Sequence, residues 1–305
     1  MIAPDSLVRI ATEAEAMGFD YVTVSDHVMI PTAIASRYPY TDSGEFPSGA
    51  AAARLEQLTA ATFIAASTSK LRIVTSVMVV PHRPAVLTAK ILASLDFLSK
   101  GRITLGIGVG WCEEEFLAIG APPFAERGAV TDEWMAVCKE LWTNDTPSFD
   151  GKYVTFKDVL FPPKPVQRPI PIWIGGESGP ALRRTARYGD AWYPIGTNPS
   201  FPMDTLTRFK GGVAKLRDLT AKAGRDPNAV GLAYRVSSNP SAQPKGMVDG
   251  ERKLFTGAAA DWIGDIKALA EVGVTSFDAG LFGPTLEATL DNMKRFRDEV
   301  IAKVK

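Results

Sequence analysis

A closed (β/α)8 TIM barrel, within the α/β class, is the fold this sequence predicts, and three observations predict it. Short β-branched runs alternate with segments of helical periodicity from end to end, the pattern of repeated βαβ units. Those runs are nearly continuous apolar stretches, as strands of a parallel sheet covered by helices must be. No low-complexity stretch, charge block or Ser/Gly linker interrupts the 305 residues, so a single domain over 1–305 is expected.

The chain opens on a helix, because Leu7, Ile10, Ala11, Ala14 and Met17 share one helical face and Gly18 follows as the closing residue. Strands are predicted at 21–26, 72–80, 102–109, 170–176, 190–196, 229–236 and 274–281. Helices are predicted at 53–68, 85–98, 125–142, 179–187, 204–223, 259–272 and 285–303. Pro84 suits the start of the third helix and Gly101 stands just past its end. The rival architecture, an open doubly wound sheet, lacks its dinucleotide fingerprint. In Gly106-Ile107-Gly108-Val109-Gly110 the final glycine is replaced by Trp111, and the run lies inside a strand instead of opening a helix. Glycines within a strand mark the close approach of either a ligand or a neighbouring side chain, and the sequence leaves both readings open.

Eight helices against seven strands leave the barrel one strand short. Some six missing residues, each worth roughly 1.5–3 kcal/mol when buried, amount to on the order of 10 kcal/mol, a whole domain's stability. We therefore expect the first strand to lie about ten to twenty residues upstream of Met1. An in-frame stop codon immediately before Met1 would exclude that.

Composition narrows the function. The 34 basic and 34 acidic residues cancel, so the chain lacks the clustered cationic footprint of a nucleic-acid binder. Two cysteines, Cys112 and Cys138, support neither a disulfide framework nor a Cys-rich zinc site, and the cytoplasm is the expected compartment. The longest apolar run, 71–80, is far shorter than the roughly 20 residues of a membrane helix, so no membrane association is expected.

In a (β/α)8 barrel the active site forms at the C-terminal ends of the strands. That rule selects Ser25-Asp26-His27, Pro81-His82-Arg83-Pro84, Gly110-Trp111, Gly175-Gly176-Glu177-Ser178 and Tyr193-Pro194-Ile195-Gly196. Both histidines of the chain fall among them. His27 is the candidate general acid/base, since imidazole changes charge near neutral pH. His82, in a proline-flanked loop, reads as a bystander. Ser25, Asp26 and His27 cannot form a catalytic relay, because adjacent strand residues point to opposite faces. Without HxH or HExxH spacing, no metal site is expected. In GGESGPALRRTARYG (175–189) a strand runs through two glycines into a Ser178 cap and Pro180, which leaves free backbone N–H groups suited to a phosphate. Glu177 is the discordant charge there, and its carboxylate is expected to turn away or to accept from a ligand hydroxyl. Loop 29–52, with Tyr38, Tyr40 and Phe46, has the length of a lid. In segment 237–257, Lys245, Arg252 and Lys253 either meet an anionic cofactor tail or are solvated.

Taken together, Gly18-Phe19-Asp20, Val24-Ser25-Asp26-His27, Leu95–Arg102, Gly106–Trp111, Glu114-Glu115-Phe116, Glu126-Arg127-Gly128, Lys164–Gln167 and Pro171–Gly176 resemble the luciferase-like monooxygenase superfamily. The closest branch is that of the coenzyme F420-dependent oxidoreductases. The resemblance implies the bacterial-luciferase-like barrel, a homodimer, and a deazaflavin or flavin ring held across the barrel mouth. It places a cis peptide bond at Ser76–Val77 beneath the ring, with Asp26, Gly108, Val109 and Gly110 near it. The cofactor phosphate falls at Gly175, Gly176, Glu177 and Ser178, and His27 beside the reactive ring edge, with Trp111 shaping the substrate pocket. The sugar-phosphate dehydrogenase branch has glutamate where this chain has Trp111, so that acid does not carry over. Luciferase subunits have arginine at the position of Val109, and its absence favours F420 over FMN. Three functions follow as expectations. The first is F420-dependent hydride transfer to or from a small organic substrate. An FMN-dependent monooxygenase served by a separate flavin reductase is the second, and flavin binding without turnover the third.

Overall fold

The protein, a computed structural model, is described over residues 4–47, 54–236 and 244–304. Its residues pack as two units: Met1–Ala11, Phe19–Tyr38 and Ser43–Ile172 form one, and Thr12–Gly18, Pro39–Asp42 and Trp173–Lys305 the other. The opening helix α1 (Pro4–Met17) ends as predicted at Gly18, whose φ of +80° is the left-handed value that glycine adopts freely.

In the first unit β1 (Tyr21–Val24), β2 (Arg72–Thr75) and β4 (Ile103–Gly108) pair in parallel, with Val24 opposite Thr75 and Ile73 opposite Ile103. The predicted strand 72–80 is interrupted. It pauses at a cis Ser76–Val77 peptide bond and resumes as β3 (Met78–Val79), which pairs Met78 with Ile107 and Val79 with Gly108. The glycines of β4 make this possible. A Cβ on Gly106 would overlap the Thr75 carbonyl oxygen, and one on Gly108 would stand 2.8 Å from Val77 Cγ2. The close approach that the glycine run signals is therefore that of the neighbouring strand.

Three helices cover this sheet: α2 (Gln57–Ser67), α3 (Ala85–Ser99) and α5 (Arg127–Thr143). Ile73, Leu92, Ala93, Ile107, Leu141 and Trp142 are fully buried among them, and the Trp142 indole donates to the Ala89 carbonyl at 3.0 Å. A six-residue helix α4 (Glu113–Ala118), too short for its periodicity to stand out, lies between β4 and α5. The unit also carries a small hairpin of β5 (Phe149–Asp150) and β6 (Thr155–Phe156).

The second unit orders β7 (Ile172–Gly175), β8 (Ala191–Tyr193), β9 (Gly231–Val236) and β12 (Val274–Ala279) in one parallel sheet. Its helices are α6 (Gly179–Tyr188), α7 (Leu206–Lys222), α8 (Ala259–Val272) and α9 (Leu286–Phe296), and a second hairpin joins β10 (Met247–Val248) to β11 (Glu251–Arg252). Its core is aromatic: Trp192 stacks on Phe209 with centroids 5.7 Å apart, and Tyr234, Phe255, Trp262, Phe277 and Phe296 continue the packing. Predicted and observed helices agree within a few residues. The main difference is at 285–303, where α9 gives way to a wider π turn over Arg297–Ile301.

Candidate active site

Three strand ends of the first unit bring chemistry together. Beyond β1 the chain carries Asp26 and His27, beyond β3 it carries His82 and Arg83, and beyond β4 it carries Trp111 and then Glu115 on α4. Glu115, only 1 % exposed, is the centre of the group. Its Oε2 accepts from His27 Nδ1 at 2.9 Å, and its Oε1 accepts from the Val28 and Met29 N–H groups at 2.7 and 3.3 Å. Burial alone would push this carboxyl up. The hydrogen bond from His27, the electrostatic pull of the two imidazole rings and the Met29 N–H outweigh it and hold the group below the usual carboxylate range, so it is ionised.

His82, set aside as a bystander from sequence, lies with its Nδ1 3.9 Å from Glu115 Oε1 and its ring edge-on to Phe116, with centroids 4.8 Å apart. Asp26 faces the other way. Its oxygens accept both Nη groups of Arg83 at 2.8 Å and the Val79 N–H at 2.9 Å, so it fixes the backbone just after the cis bond. Burial would lower the Arg83 guanidinium, but the carboxylates of Asp26 and Glu56 raise it instead.

Around His27 stand three aromatic rings. Phe46 and Trp111 approach it at centroid distances of 5.5 and 6.2 Å, and Tyr38 packs on Trp111 at 5.0 Å. The described part of loop 29–52 is thus laid over the histidine, and α4 secures it. Glu114 accepts from the Ala35 and Ser36 N–H groups at 2.6 and 3.0 Å, and the Ser36 hydroxyl accepts from the Glu113 N–H at 3.0 Å. Residues 48–52 of that loop lie outside the described residues. Gly110, with φ +87°, leaves room for Phe116, which a Cβ would meet at 2.6 Å.

In the second unit the predicted helix start is present. Ser178 Oγ accepts from the Ala181 N–H at 3.4 Å, and Gly176 turns the chain with φ +99°. Glu177 does turn away: its oxygens accept from Ile195 N–H at 2.8 Å and Asn198 Nδ2 at 2.7 Å. Burial, only partly offset by these donors, pushes its carboxyl up to about 7. The cations of 237–257 that lie within the described residues are engaged with carboxylates: Lys245 pairs with Asp261 at 3.0 Å, Lys253 with Asp204 at 3.1 Å, and Arg252 with Asp265. Residues 237–243 lie outside the described residues.

Sequence reasoning quoted Glu115 only within the family resemblance and gave it no role, and at the ends of β8, β9 and β12 it selected Tyr193 but missed its partners Arg235 and Asp278. There Asp278 accepts from the Tyr193 hydroxyl at 2.6 Å and from Arg235 at 2.9 Å, while burial pushes its carboxyl up. The available signal was a charge inside each of two otherwise apolar strands. No helix among the described residues is long and apolar enough to cross a membrane.

A family model described as luciferase-like monooxygenase matches residues 2–244. An uncharacterized protein of Mycobacterium tuberculosis is 33 % identical over 97 % of this chain and 95 % of its own length. The F420-dependent glucose-6-phosphate dehydrogenase of Nakamurella multipartita is 34 % identical over 73 % of this chain and 60 % of its own. For the FMNH2-dependent dimethylsulfone monooxygenase of Pseudomonas putida the identity is 35 %, over 57 % of this chain and 46 % of that one. Among solved structures, an F420-dependent secondary alcohol dehydrogenase in complex with an F420–acetone adduct superposes with a TM-score of 0.74, at 20 % identity, over all of this chain and 96 % of that one. The chain belongs to the luciferase-like monooxygenase family and has its fold, a mostly parallel-stranded barrel surrounded by helices.

Proposed function

We propose that the protein is a deazaflavin-dependent oxidoreductase that moves hydride between coenzyme F420 and a small organic substrate bearing a hydroxyl or carbonyl group. His27 serves as the acid–base residue. The observation that carries this reading is the hydrogen bond from His27 to a buried, ionised Glu115 beneath an aromatic cover. Because Glu115 holds the Nδ1 proton, the neutral ring keeps its lone pair on Nε2. An imidazole so arranged accepts a proton from a hydroxyl or, once protonated, returns one to a carbonyl oxygen. The imidazolium formed between those events is stabilised by the carboxylate 2.9 Å away. Positioned acid–base groups of this kind contribute about 10²–10⁴-fold in rate.

The first unit carries residues suited to a planar ring, and the second, taken by itself, a helix start suited to a phosphate. Tyr38, Phe46 and Trp111 offer flat apolar surface and exclude water from the His27–Glu115 pair. Ser76, Val77, Gly108, Val109 and Gly110 are the residues we assign to the ring. Gly175, Gly176 and the Ser178-capped helix start are assigned to the phosphate, and Glu177, committed to Ile195 and Asn198, does not oppose it there. Asp26 and Glu177 thereby become positioning residues, since their oxygens are taken by protein donors. When bound, the deazaflavin supplies the two-electron hydride donor or acceptor.

Fluorescence-quenching titrations with F420 and with FMN test this reading. Micromolar or tighter F420 binding, with hydride transfer slowed on the order of 10²-fold or more in His27→Ala, is the expected result. Tight FMN binding without F420 binding would instead identify a two-component monooxygenase, the reading favoured by the Pseudomonas putida relative.

A further inference from the structure

The mechanism above leaves one buried titratable side chain at the same centre unused. His82 is 1 % exposed at its side chain, and neither ring nitrogen has a hydrogen-bond partner among the described residues. Its Nδ1 lies 3.9 Å from Glu115 Oε1, too far for a hydrogen bond but close enough for an N–H dipole on the ring to act on the carboxylate. We propose that His82 is a positioning residue that, without a hydrogen bond, aims its Nδ1–H dipole at Glu115 and so sets how firmly Glu115 holds the proton on His27. This inference rests on the reading of His27 as the acid–base residue.

Electrostatics fix which nitrogen carries the hydrogen. A lone pair on Nδ1 would face an ionised carboxylate and be repelled, so the proton sits on Nδ1 and the lone pair on Nε2. The ring also stays neutral. Burial holds it below the usual histidine range, against the pull of Glu115 and Asp26, and Arg83 and His27 act in the same direction as burial. His82 is thus a donor without a charge. Glu115 meets His27 and His82, the Val28 and Met29 N–H groups, and the field of Arg54, whose guanidinium senses both Glu115 and Tyr38. A dipole whose positive end faces Oε1 at 3.9 Å partly offsets the carboxylate's negative potential and weakens its hold on the His27 proton.

Loss of that donor therefore moves the His27 titration midpoint upward, whereas loosened packing around Glu115 would move it downward. The chain contains only two histidines, so NMR of the ring signals follows each of them directly. In His82→Phe, which keeps an aromatic ring and removes the donor, the His27 midpoint rises by about half a pH unit. His82→Gln, which restores a donor, returns it toward the parent value. In the unsubstituted protein the ¹⁵N shifts of His82 show the Nδ1–H tautomer.

An Nε2–H tautomer, or a His27 midpoint unchanged or lowered in His82→Phe, overturns the proposal. The tautomer is measured on the parent, so the test survives a variant that fails to fold. None of these readouts uses turnover. Failure to bind F420 would defeat the proposed function and leave the His82 result standing, and an unmoved midpoint in an F420-active protein would defeat this inference alone.

Discussion

His27 Nδ1 and Glu115 Oε2 lie 2.9 Å apart across 88 residues of sequence, joining the end of β1 to the short helix beyond β4. The pair is built as a unit, because Glu115 orients the ring and supplies the opposing charge while the N–H groups of Val28 and Met29 hold Glu115 still.

Substitutions in a unit of this kind should not add. Glu115→Gln and His27→Ala are each expected to lower kcat on the order of 10²-fold or more with F420 as cofactor, and the double variant should fall no further than the worse single one. Steady-state rates of the three variants decide it. Multiplicative losses would mean that Glu115 acts on the reaction independently of His27.

The glycine run of β4 makes a packing prediction. In Gly108→Ala the new Cβ meets Val77 Cγ2 at 2.8 Å, and a β-branched side chain has little freedom to retreat. The substitution should cost about 1–3 kcal/mol in a urea melt. Made in a Val77→Ala background it should cost about 1 kcal/mol less, a coupling that two independent sites would not show.

Legibility from sequence followed the range of the interactions. Alternating β and α periodicity is a local signal, and it located every principal strand and helix, including α8 at 259–272. What it missed is either too short for a period or long-range. The six residues of α4 span less than two turns, and nothing local separates buried Glu115 from its neighbour Glu114, which pins the loop through Ala35 and Ser36. The break in 72–80 leaves no mark on hydropathy, because both halves are apolar. The glycines opposite it hinted at a close approach without saying of what, and its position at Ser76–Val77 follows from the family resemblance alone. Asp26 and Arg83 are each ordinary loop charges in sequence, and nothing local says that they meet.

That pair supports a third prediction. The Asp26 side chain is fully buried and that of Arg83 12 % exposed, and both guanidinium Nη groups reach the carboxylate at 2.8 Å. Removing one partner leaves the other charge buried and uncompensated. Arg83→Met is therefore expected to destabilise by about 3 kcal/mol or more, and adding Asp26→Asn should recover part of the loss. Chemical denaturation of the two variants measures both. Equal stability of Arg83→Met and the parent would mean that Val79 alone satisfies Asp26.

Glu177 supplies a pH dependence of definite sign. Its folded-state carboxyl titrates at about 7, pushed up by burial, whereas in the unfolded chain it titrates in the ordinary range near 4.5. Between those values the folded protein holds a proton that the unfolded chain has released, so this group's contribution is complete at acid pH and is lost as pH rises through about 7. The contribution of Glu177 is worth up to about 3 kcal/mol. Glu177→Gln keeps a carbonyl oxygen for the Ile195 N–H and cannot ionise. Thermal melts from pH 5 to 8 should therefore show the parent losing Tm relative to Glu177→Gln as the pH rises, with the curves converging at the acid end. Parallel curves would mean that Glu177 stays ionised throughout, its charge carried by Ile195 and Asn198 without a proton.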